Sequence, residues 1–131
     1  LVRNNFDFKG KKILLVDDDP INIKVGRKFL ERKEFIVDTA ESGFEAIEKI
    51  TNNKDYNLVL MDIRMPELNG YDTTKQIRSM ESEYFKNVPI IAMSANAFEE
   101  DIALSKESGM NDHISKPVKP EILYDVISKY I

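Results

Sequence analysis

Aspartates stand at the ends of two apolar segments of this sequence, where a carboxylate can take part in chemistry. The segment "ILLV" runs directly into Asp17 and Asp18, and the segment "LVLM" ends at Asp62. An aspartate is a poor strand residue, and burying it ionised and unpaired costs several kcal/mol. Asp62 therefore either faces solvent or has a cation beside it.

Two further polar side chains follow later apolar segments: Ser94 ends "PIIAMS", and Lys116 stands just before a proline. Taken singly, each group has an ordinary interpretation. The acidic run can be loop and helix-cap residues, Asp62 a turn residue, Ser94 a strand-end hydroxyl and Lys116 a solvated lysine. His113, the single histidine, is more often structural than catalytic and cannot by itself form a multi-histidine metal site. A functional interpretation requires a fold that brings these side chains together.

Five short apolar segments alternate with segments of helical periodicity. Three of the five are nearly continuous apolar runs, which is typical of a parallel sheet covered on both faces. The alternation itself indicates an α/β fold with helices on both sides of the sheet. The predicted strands are Lys12–Asp17, Phe35–Ala40, Asn57–Asp62, Val88–Ser94 and Asp112–Ser115.

The segments between the strands carry helix start and stop signals. Asp19 is the predicted cap of a first helix that Pro20 opens. Ile21, Val25 and Phe29 recur every four residues and predict its apolar stripe. A capping box at Ser42 and Glu45 begins a second helix with the apolar residues Ala46, Ile47 and Ile50. A third predicted helix carries Ile77 and Met80, and a fourth starts near Ala97 and stops at Gly109. Pro120 opens a fifth, whose apolar residues are Leu123, Val126, Ile127 and Tyr130.

These elements predict a flavodoxin-like (βα)5 three-layer sandwich with a parallel five-stranded sheet of order 2-1-3-4-5. Five strands are too few for a closed eight-stranded barrel, and the doubly wound sheet is the economical alternative. Ligands of such sheets bind beyond the carboxyl ends of the strands. The polar groups that follow strands one, three, four and five are therefore expected at one edge of the sheet.

The expected chemistry of this edge is phosphoryl transfer. Asp17, Asp18 and Asp62 side by side would repel one another and raise at least one pKa. A hard divalent cation relieves this repulsion, and oxygen ligands without His or Cys suit Mg²⁺, with Mn²⁺ as an alternative. Lys116 adds a second positive charge. A carboxylate held in this way is a competent nucleophile toward phosphorus.

The composition of the chain limits the classes of partner and the cellular location that we expect for it. The chain has 131 residues, a net charge of -4 and no cysteine, so a whole-domain basic footprint for nucleic acid and Cys-based sites are absent. We expect a cytoplasmic domain, or the cytoplasmic segment of a membrane-anchored kinase, that itself makes no direct contact with nucleic acid or membrane. We also expect a monomer or weak dimer. Residues 1–11 are predicted to be a linker or tail that packs loosely through Phe6 and Phe8. Residues 12–131 are the predicted domain, which we expect to be part of a longer chain.

Four motifs, "ILLVDDDP", "LVLMDIRMPELNGYD", "PIIAMSANAF" and "GMNDHISKPV", follow one another in this chain. In order and spacing they resemble the receiver domain of two-component response regulators, over Lys12 to Ile131. The segments "DDDPIN" and "SANAF" resemble receivers joined to hybrid sensor histidine kinases. The resemblance implies a phosphorelay switch that receives a phosphoryl group from phosphohistidine of a histidine kinase or histidine phosphotransfer domain. A stand-alone or DNA-binding response regulator is the alternative parent.

The resemblance also implies residue roles. Asp62 is the phosphoacceptor, Asp18 a direct Mg²⁺ ligand and Asp17 a ligand acting largely through water. The backbone carbonyl of Arg64 is a further metal ligand, Ser94 the switch hydroxyl and Lys116 the phosphate-binding lysine, with a cis peptide bond expected between Lys116 and Pro117. Met65, Pro66 and Gly70 shape the loop after the acceptor.

Two positions depart from the commonest receiver pattern. His113 stands where these domains usually carry a switch Tyr or Phe, and an imidazole can rotate inward similarly while adding a dependence on pH. Arg64 places a large cation two residues after the acceptor. By resemblance, Arg64 and Asn96 modulate the lifetime of the aspartyl phosphate.

Three other functions are alternatives to the switch. A haloacid-dehalogenase-type phosphohydrolase needs an acid two residues after its nucleophile, where this chain has Arg64. A flavin or nucleotide binder lacks a Gly-rich loop after strand one, and a receiver-like module that is never phosphorylated does not need the complete site. The isolated domain is expected to catalyse its own phosphorylation and slow dephosphorylation without being an enzyme in the turnover sense. The parent chain is expected to be a histidine kinase if the hybrid resemblance holds.

Overall fold

The structure is a computed structural model that describes residues 7–95 and 99–131. In this part of the chain, five parallel strands form one sheet in the predicted order β2-β1-β3-β4-β5. The strands are β1 (Lys12–Val16), β2 (Ile36–Ala40), β3 (Leu58–Asp62), β4 (Ile90–Ser94) and β5 (Asp112–Ser115). The flavodoxin-like prediction is confirmed.

Six helices connect and follow these strands within the described residues: α1 (Pro20–Arg32), α2 (Gly43–Asn52), α3 (Gly70–Arg78), α4 (Glu83–Asn87), α5 (Glu99–Ser108) and α6 (Pro120–Ser128). The short α4 was not predicted, because five residues are too few to show a helical period. Ser82 caps α4, and Phe85 anchors it in the core. The predicted start near Ala97 lies outside the described residues. Among the described helices, none has the length and apolar character to cross a membrane.

The two faces of the sheet are covered by separate apolar clusters. Leu14 and Val16 of β1 point into the cluster that α2, α3 and α4 complete. Ile13 and Leu15 point into the cluster that α1 and α6 complete. Because successive residues of one strand point into opposite clusters, the residues on both faces are apolar, and the central segments are continuous apolar runs.

The apolar stripe predicted for α1 is wrong at two of its three positions. Ile21 is 71% exposed and Val25 is 44% exposed. The face of α1 toward the sheet instead runs through Gly26 and the fully buried Leu30. A Cβ atom at Gly26 would lie 3.0 Å from a methyl group of Leu15, so the small residue permits close packing of α1 on β1. Two branched side chains are thereby left on the surface.

The predicted helix signals at Asp19 and Gly109 are confirmed. The side chain of Asp19 accepts a hydrogen bond from Ile21 N at 2.9 Å, which satisfies one free donor of the first turn. Gly109 follows the last residue of α5 with φ of 105°, a conformation that favours glycine at a helix end. Ser42 accepts from Glu45 N as predicted, whereas the Glu45 carboxylate bonds the backbone of Glu41.

The segment just before β1 packs into the domain. Phe8 is buried, and its ring stacks on that of Phe35 with 4.6 Å between centroids. Backbone hydrogen bonds from Gly10 N to Glu34 O and from Ile36 N to Lys11 O extend the contact. Phe8 therefore packs tightly rather than loosely, while Phe6 lies outside the described residues. The boundary between tail and domain at residue 12 stays a prediction.

Candidate functional site

The acidic side chains meet at the carboxyl edge of the central strands. Asp62 is the last residue of β3, and Asp17 directly follows its neighbour β1. A backbone hydrogen bond from Lys116 N to Ser94 O continues the β4–β5 pairing to the same edge. The resulting cavity of about 240 Å³ is lined by Asp17, Asp18, Asp19, Asn22, Asp62, Arg64, Ala95 and Lys116.

Lys116 bridges two buried carboxylates. Its Nζ atom donates to Asp17 Oδ2 at 3.0 Å and to Asp62 Oδ1 at 3.1 Å. Asp17 is 1% exposed and Asp62 is 4% exposed, whereas Asp18 is exposed. The other oxygen of Asp17 accepts from Asp19 N at 3.0 Å. The lysine thus supplies the cation that burial of Asp62 requires.

One ammonium group compensates the acidic charge only in part. Burial, followed by repulsion from Asp17, raises the pKa of Asp62 to about 6, although the contact with Lys116 acts in the opposite direction. Burial alone would lower the pKa of Lys116, but its bonds to Asp17 and Asp62 outweigh this effect and raise it. Without a further cation, Asp62 keeps its proton to a higher pH than an ordinary aspartate does, because its pKa is raised.

The donor set fits a hard divalent cation. Asp17, Asp18 and Asp62 each offer one carboxylate oxygen, and these oxygens all lie within 4.8 Å of one another. Oxygen donors around an open cavity suit Mg²⁺, which keeps several of its waters in protein sites. The raised pKa of Asp62 is the electrostatic sign of the same need for positive charge.

The predicted residues differ in how close they lie to this cavity. The side chain of Arg64 lines it, and Ser94 is buried at the end of β4 with a bonding partner. His113 lines two other cavities next to β5, and its buried Nε2 atom has no hydrogen-bond partner in the part of the chain that the structure describes. Asn96 lies outside the described residues. The peptide bond between Lys116 and Pro117 is cis, as the resemblance implies.

Asn22 lines the cavity but is not among the residues predicted from the sequence. Its amide Nδ2 lies 3.5 Å from Asp17 Oδ1, a long hydrogen bond. Asn22 stands in the first turn of α1, two residues after the opening Pro20. Because α1 begins where the acidic run ends, the first-turn positions face the carboxylates. The helix cap at Asp19 was therefore the signal that could have found this residue.

The loop after the acceptor strand is fixed tightly to it. A Cβ atom at Gly70 would overlap the backbone oxygen of Asp62, so only glycine allows α3 to start there. Gly70 N donates to Ile63 O at 2.8 Å, and the side chain of Asn69 caps α3 through Asp72 N. Met65 is buried beneath this turn. The first turn of α3 is thus held against the end of β3.

Comparisons with known proteins show which family this chain resembles. The family of the response regulator receiver domain matches residues 13–128. The hybrid signal transduction histidine kinase L of Dictyostelium discoideum is 38% identical over 122 residues, which cover 91% of this chain and 7% of the kinase. The transcription factor SKN7 of Saccharomyces cerevisiae is 37% identical over 94% of this chain and 19% of its own length. The chain therefore spans a small part of these relatives.

Solved structures show the same fold. The receiver domain of the sensor histidine kinase PA1611 from Pseudomonas aeruginosa, with magnesium coordinated in its active site cleft, has a TM-score of 0.84 and 36% identity; the match covers 92% of this chain and 97% of that one. A further match is the co-crystal structure of the histidine phosphotransfer protein Ypd1 and the receiver domain of Ssk1 from Saccharomyces cerevisiae, with a TM-score of 0.85 and 29% identity. This match covers 94% of this chain and 90% of the matched chain. The match of the family over nearly the whole chain, together with this fold, establishes that the chain belongs to the receiver domains of two-component response regulators.

Proposed function

We propose that Asp62 is the phosphoacceptor of this receiver domain and accepts a phosphoryl group from phosphohistidine on a histidine kinase or histidine phosphotransfer domain. The observation that carries the proposal is the lysine-bridged pair of buried carboxylates at the carboxyl edge of the sheet. Asp17, Asp18, Asp62 and the backbone carbonyl of Arg64 would hold Mg²⁺. That ion supplies positive charge for the phosphoryl oxygens when it is bound.

In the proposed transfer, a carboxylate oxygen of Asp62 attacks phosphorus and forms a P–O bond. The P–N bond to the partner's imidazole breaks, and its electron pair stays on the nitrogen. Lys116 moves its ammonium from the Asp62 carboxylate to a phosphoryl oxygen, at the same edge of the cavity. Catalysis of this kind is mostly positioning and electrostatic stabilisation. Water attack on the aspartyl phosphate returns the domain slowly to its resting state.

The phosphoryl group then acts as a switch. Ser94 donates a hydrogen bond to a phosphoryl oxygen, and His113 rotates toward the space that Ser94 vacates. These movements shift α5 and change the partner-binding surface. Arg64, at the cavity, and Asn96 set the lifetime of the aspartyl phosphate. The domain promotes its own phosphorylation and dephosphorylation but is not a turnover enzyme.

The surface beside the acceptor suits a protein partner. Ile21 and Val25 are exposed apolar side chains in the first two turns of α1, and Ile122 is one in the first turn of α6. The two helices touch through a 2.6 Å hydrogen bond from Tyr124 to Phe29 O. We assign this apolar face to docking of the phosphohistidine donor. Exposed apolar groups of this kind are common at interaction surfaces.

A hybrid sensor histidine kinase is the proposed parent, with a stand-alone or DNA-binding response regulator as the alternative, because relatives of both kinds match. A cytoplasmic location, a monomeric or weakly dimeric state and the lack of contact with nucleic acid or membrane belong to the same proposal.

Intact-mass measurement after incubation with acetyl phosphate and Mg²⁺ tests the acceptor. We expect a gain of one phosphoryl group in the wild type and in Asp72→Asn, whose carboxylate is exposed in the first turn of α3, and no gain in Asp62→Asn. A phosphoryl group that persists in Asp62→Asn contradicts the assignment. Repeated hydrolysis of a phosphate ester would instead favour a phosphohydrolase.

A further inference from the structure

The side chains of helix α5 hold it only weakly against the rest of the domain. Its buried side chains among residues 101–108 are Ser105 and Ser108, and Leu104 is 46% exposed. Both serine hydroxyls bond back to carbonyl groups of α5 itself. Neither apolar cluster of the sheet includes a side chain from residues 101–108. The burial that fixes the other long helices therefore contributes little to the position of α5.

The contact between α5 and the sheet is also incomplete. A cavity of about 70 Å³ separates the two, and Ile102, Ser105 and His113 contribute to its lining. Among the described residues, the buried Nε2 atom of His113 has no hydrogen-bond partner. Unfilled volume beside a helix means lost dispersion contacts, so α5 can move over β5 at a small cost.

The carboxyl-terminal end of α5 is fixed by Arg78. This residue ends α3, and its Nε atom donates to Gly109 O at 3.0 Å. Its Nη2 atom donates to Asn111 Oδ1 at 2.9 Å, and its Nη1 atom to Phe85 O at 3.0 Å. Asn111 Oδ1 also accepts from Ile90 N, the first residue of β4. One guanidinium thus ties the end of α5 to α3, α4 and the sheet.

All three acceptors of Arg78 are neutral. Within the described residues, no carboxylate lies at ion-pair distance from its guanidinium. The side chain is half-buried, and its contacts depend on the planar fork of donors that lysine lacks. Geometry rather than charge therefore makes this attachment firm.

The amino-terminal half of α5 has a looser attachment to α3. Tyr71 donates to Asp101 O and Asp101 Oδ1, both at 3.4 Å. Hydrogen bonds of this length are weak compared with those of about 2.9–3.0 Å. The two attachments start from opposite ends of α3, since Tyr71 lies in its first turn and Arg78 is its last residue.

We propose that Arg78 is the pivot of α5 and that the Tyr71–Asp101 contact is its releasable latch. Phosphorylation then swings the amino-terminal half of α5, while residues 106–112 stay in place. Arg78 is a positioning residue in this arrangement, because it lies away from the acceptor cavity. The inference rests on the proposed phosphorylation of Asp62 and specifies which part of the helix responds to it.

Hydrogen–deuterium exchange of the whole chain, with and without acetyl phosphate and Mg²⁺, tests the pivot. The extent of phosphorylation is read from intact mass in the same samples. In the wild type we expect the phosphorylation-dependent change within 99–105 and not within 106–112. In Arg78→Met the change spreads into 106–112, where protection falls by roughly tenfold. A change that covers both segments in the wild type, or an Arg78→Met pattern like the wild type, overturns the proposal.

Two further variants keep the test decisive if Arg78→Met does not fold. Arg78→Lys can reach one acceptor at a time, so we expect a partial loss of protection at 106–112 relative to the wild type. Lys86→Met is the matched control, because Lys86 Nζ donates to Arg78 O and Met80 O without touching the α5 end. Lys86→Met should keep the wild-type pattern, and loss of protection equal to that of Arg78→Lys overturns the pivot.

Tyr71→Phe tests the latch in the resting protein, without any phosphoryl donor. We expect exchange within 99–105 to rise by roughly two- to fivefold, with 106–112 unchanged. An unchanged helix, or an equal rise at both ends, refutes the latch. Because this arm does not require phosphorylation, it separates failure of the inference from failure of the proposed acceptor.

Discussion

Replacing Asp62 with asparagine should stabilise the metal-free protein. Burial and repulsion from Asp17 raise the pKa of Asp62 from 3.8 to about 6, so the folded state binds its proton more tightly than the unfolded state. The stability that this protonation contributes is full below pH 3.8 and is lost as the pH rises through 6. At pH 8 the loss is about 3 kcal/mol, because each pH unit of difference in pKa corresponds to about 1.36 kcal/mol.

Asparagine has nearly the shape of aspartate and carries no charge. Lys116 keeps its 3.0 Å contact with Asp17 in the variant, so the ammonium group does not become unpaired. We therefore expect a gain of about 1–3 kcal/mol at pH 8, with about 3 kcal/mol as the upper value. At pH 5 the gain should be about half as large, since the wild-type carboxyl is then largely protonated in the folded state.

Urea unfolding in EDTA at pH 5, 6, 7 and 8 measures this difference. The gain should grow from pH 5 to pH 7 and then level off. Addition of Mg²⁺ should reduce it, because an ion that binds the folded wild type stabilises that protein more than the variant. Asp72→Asn is the control, with an exposed carboxylate and no expected pH-dependent gain. A variant no more stable than the wild type at pH 8, or a gain that does not change with pH, refutes the electrostatic reasoning.

Three other substitutions test separate parts of the structure. Lys116→Met should leave two buried carboxylates without their cation, and we expect phosphorylation by acetyl phosphate to slow by at least about tenfold, measured by intact mass. An unchanged rate contradicts the role of the ammonium group. Phe8→Ala should lower the free energy of unfolding by about 3–5 kcal/mol in urea titrations. Phe44→Ala, at an exposed ring, should change it by less than about 0.5 kcal/mol, and equal effects would mean that the tail does not complete the core. Ile21→Asp should slow transfer from a phosphohistidine protein by roughly tenfold without changing the rate with acetyl phosphate, and parallel losses with both donors would place the defect in the site.

The strands were predictable because both faces of the sheet are covered. Burial on both sides makes the central segments apolar without interruption, and the carboxyl-terminal aspartate marks the end of β3 at Asp62. The face of α1 was not predictable from apolar spacing alone. Gly26 decides that face through its close approach to Leu15, and a glycine gives no hydrophobic signal in the sequence.

The position of the acidic cluster followed from topology, but its internal bonding did not. The order of the strands places Asp17 beside Asp62 whatever their side chains do. The bridge through Lys116 and the long contact from Asn22 depend on rotamers and on the loop after β5. The Lys116 contacts join residues far apart in the chain, and the Asn22 contact starts from the first turn of α1. The spacing of residues in the sequence does not determine these distances.

The structure links the acceptor to α5 through α3. Gly70 holds the first turn of α3 against the backbone of Asp62, so that end of α3 cannot move without the acceptor strand. Tyr71, the next residue, bonds Asp101 of α5 at 3.4 Å, and Arg78 at the other end of α3 holds the end of α5 by bonds of 2.9–3.0 Å. A small displacement at the acceptor can therefore break the weak contact before the strong one. The order of these bond strengths, rather than the length of α3, would give the proposed movement of α5 its direction.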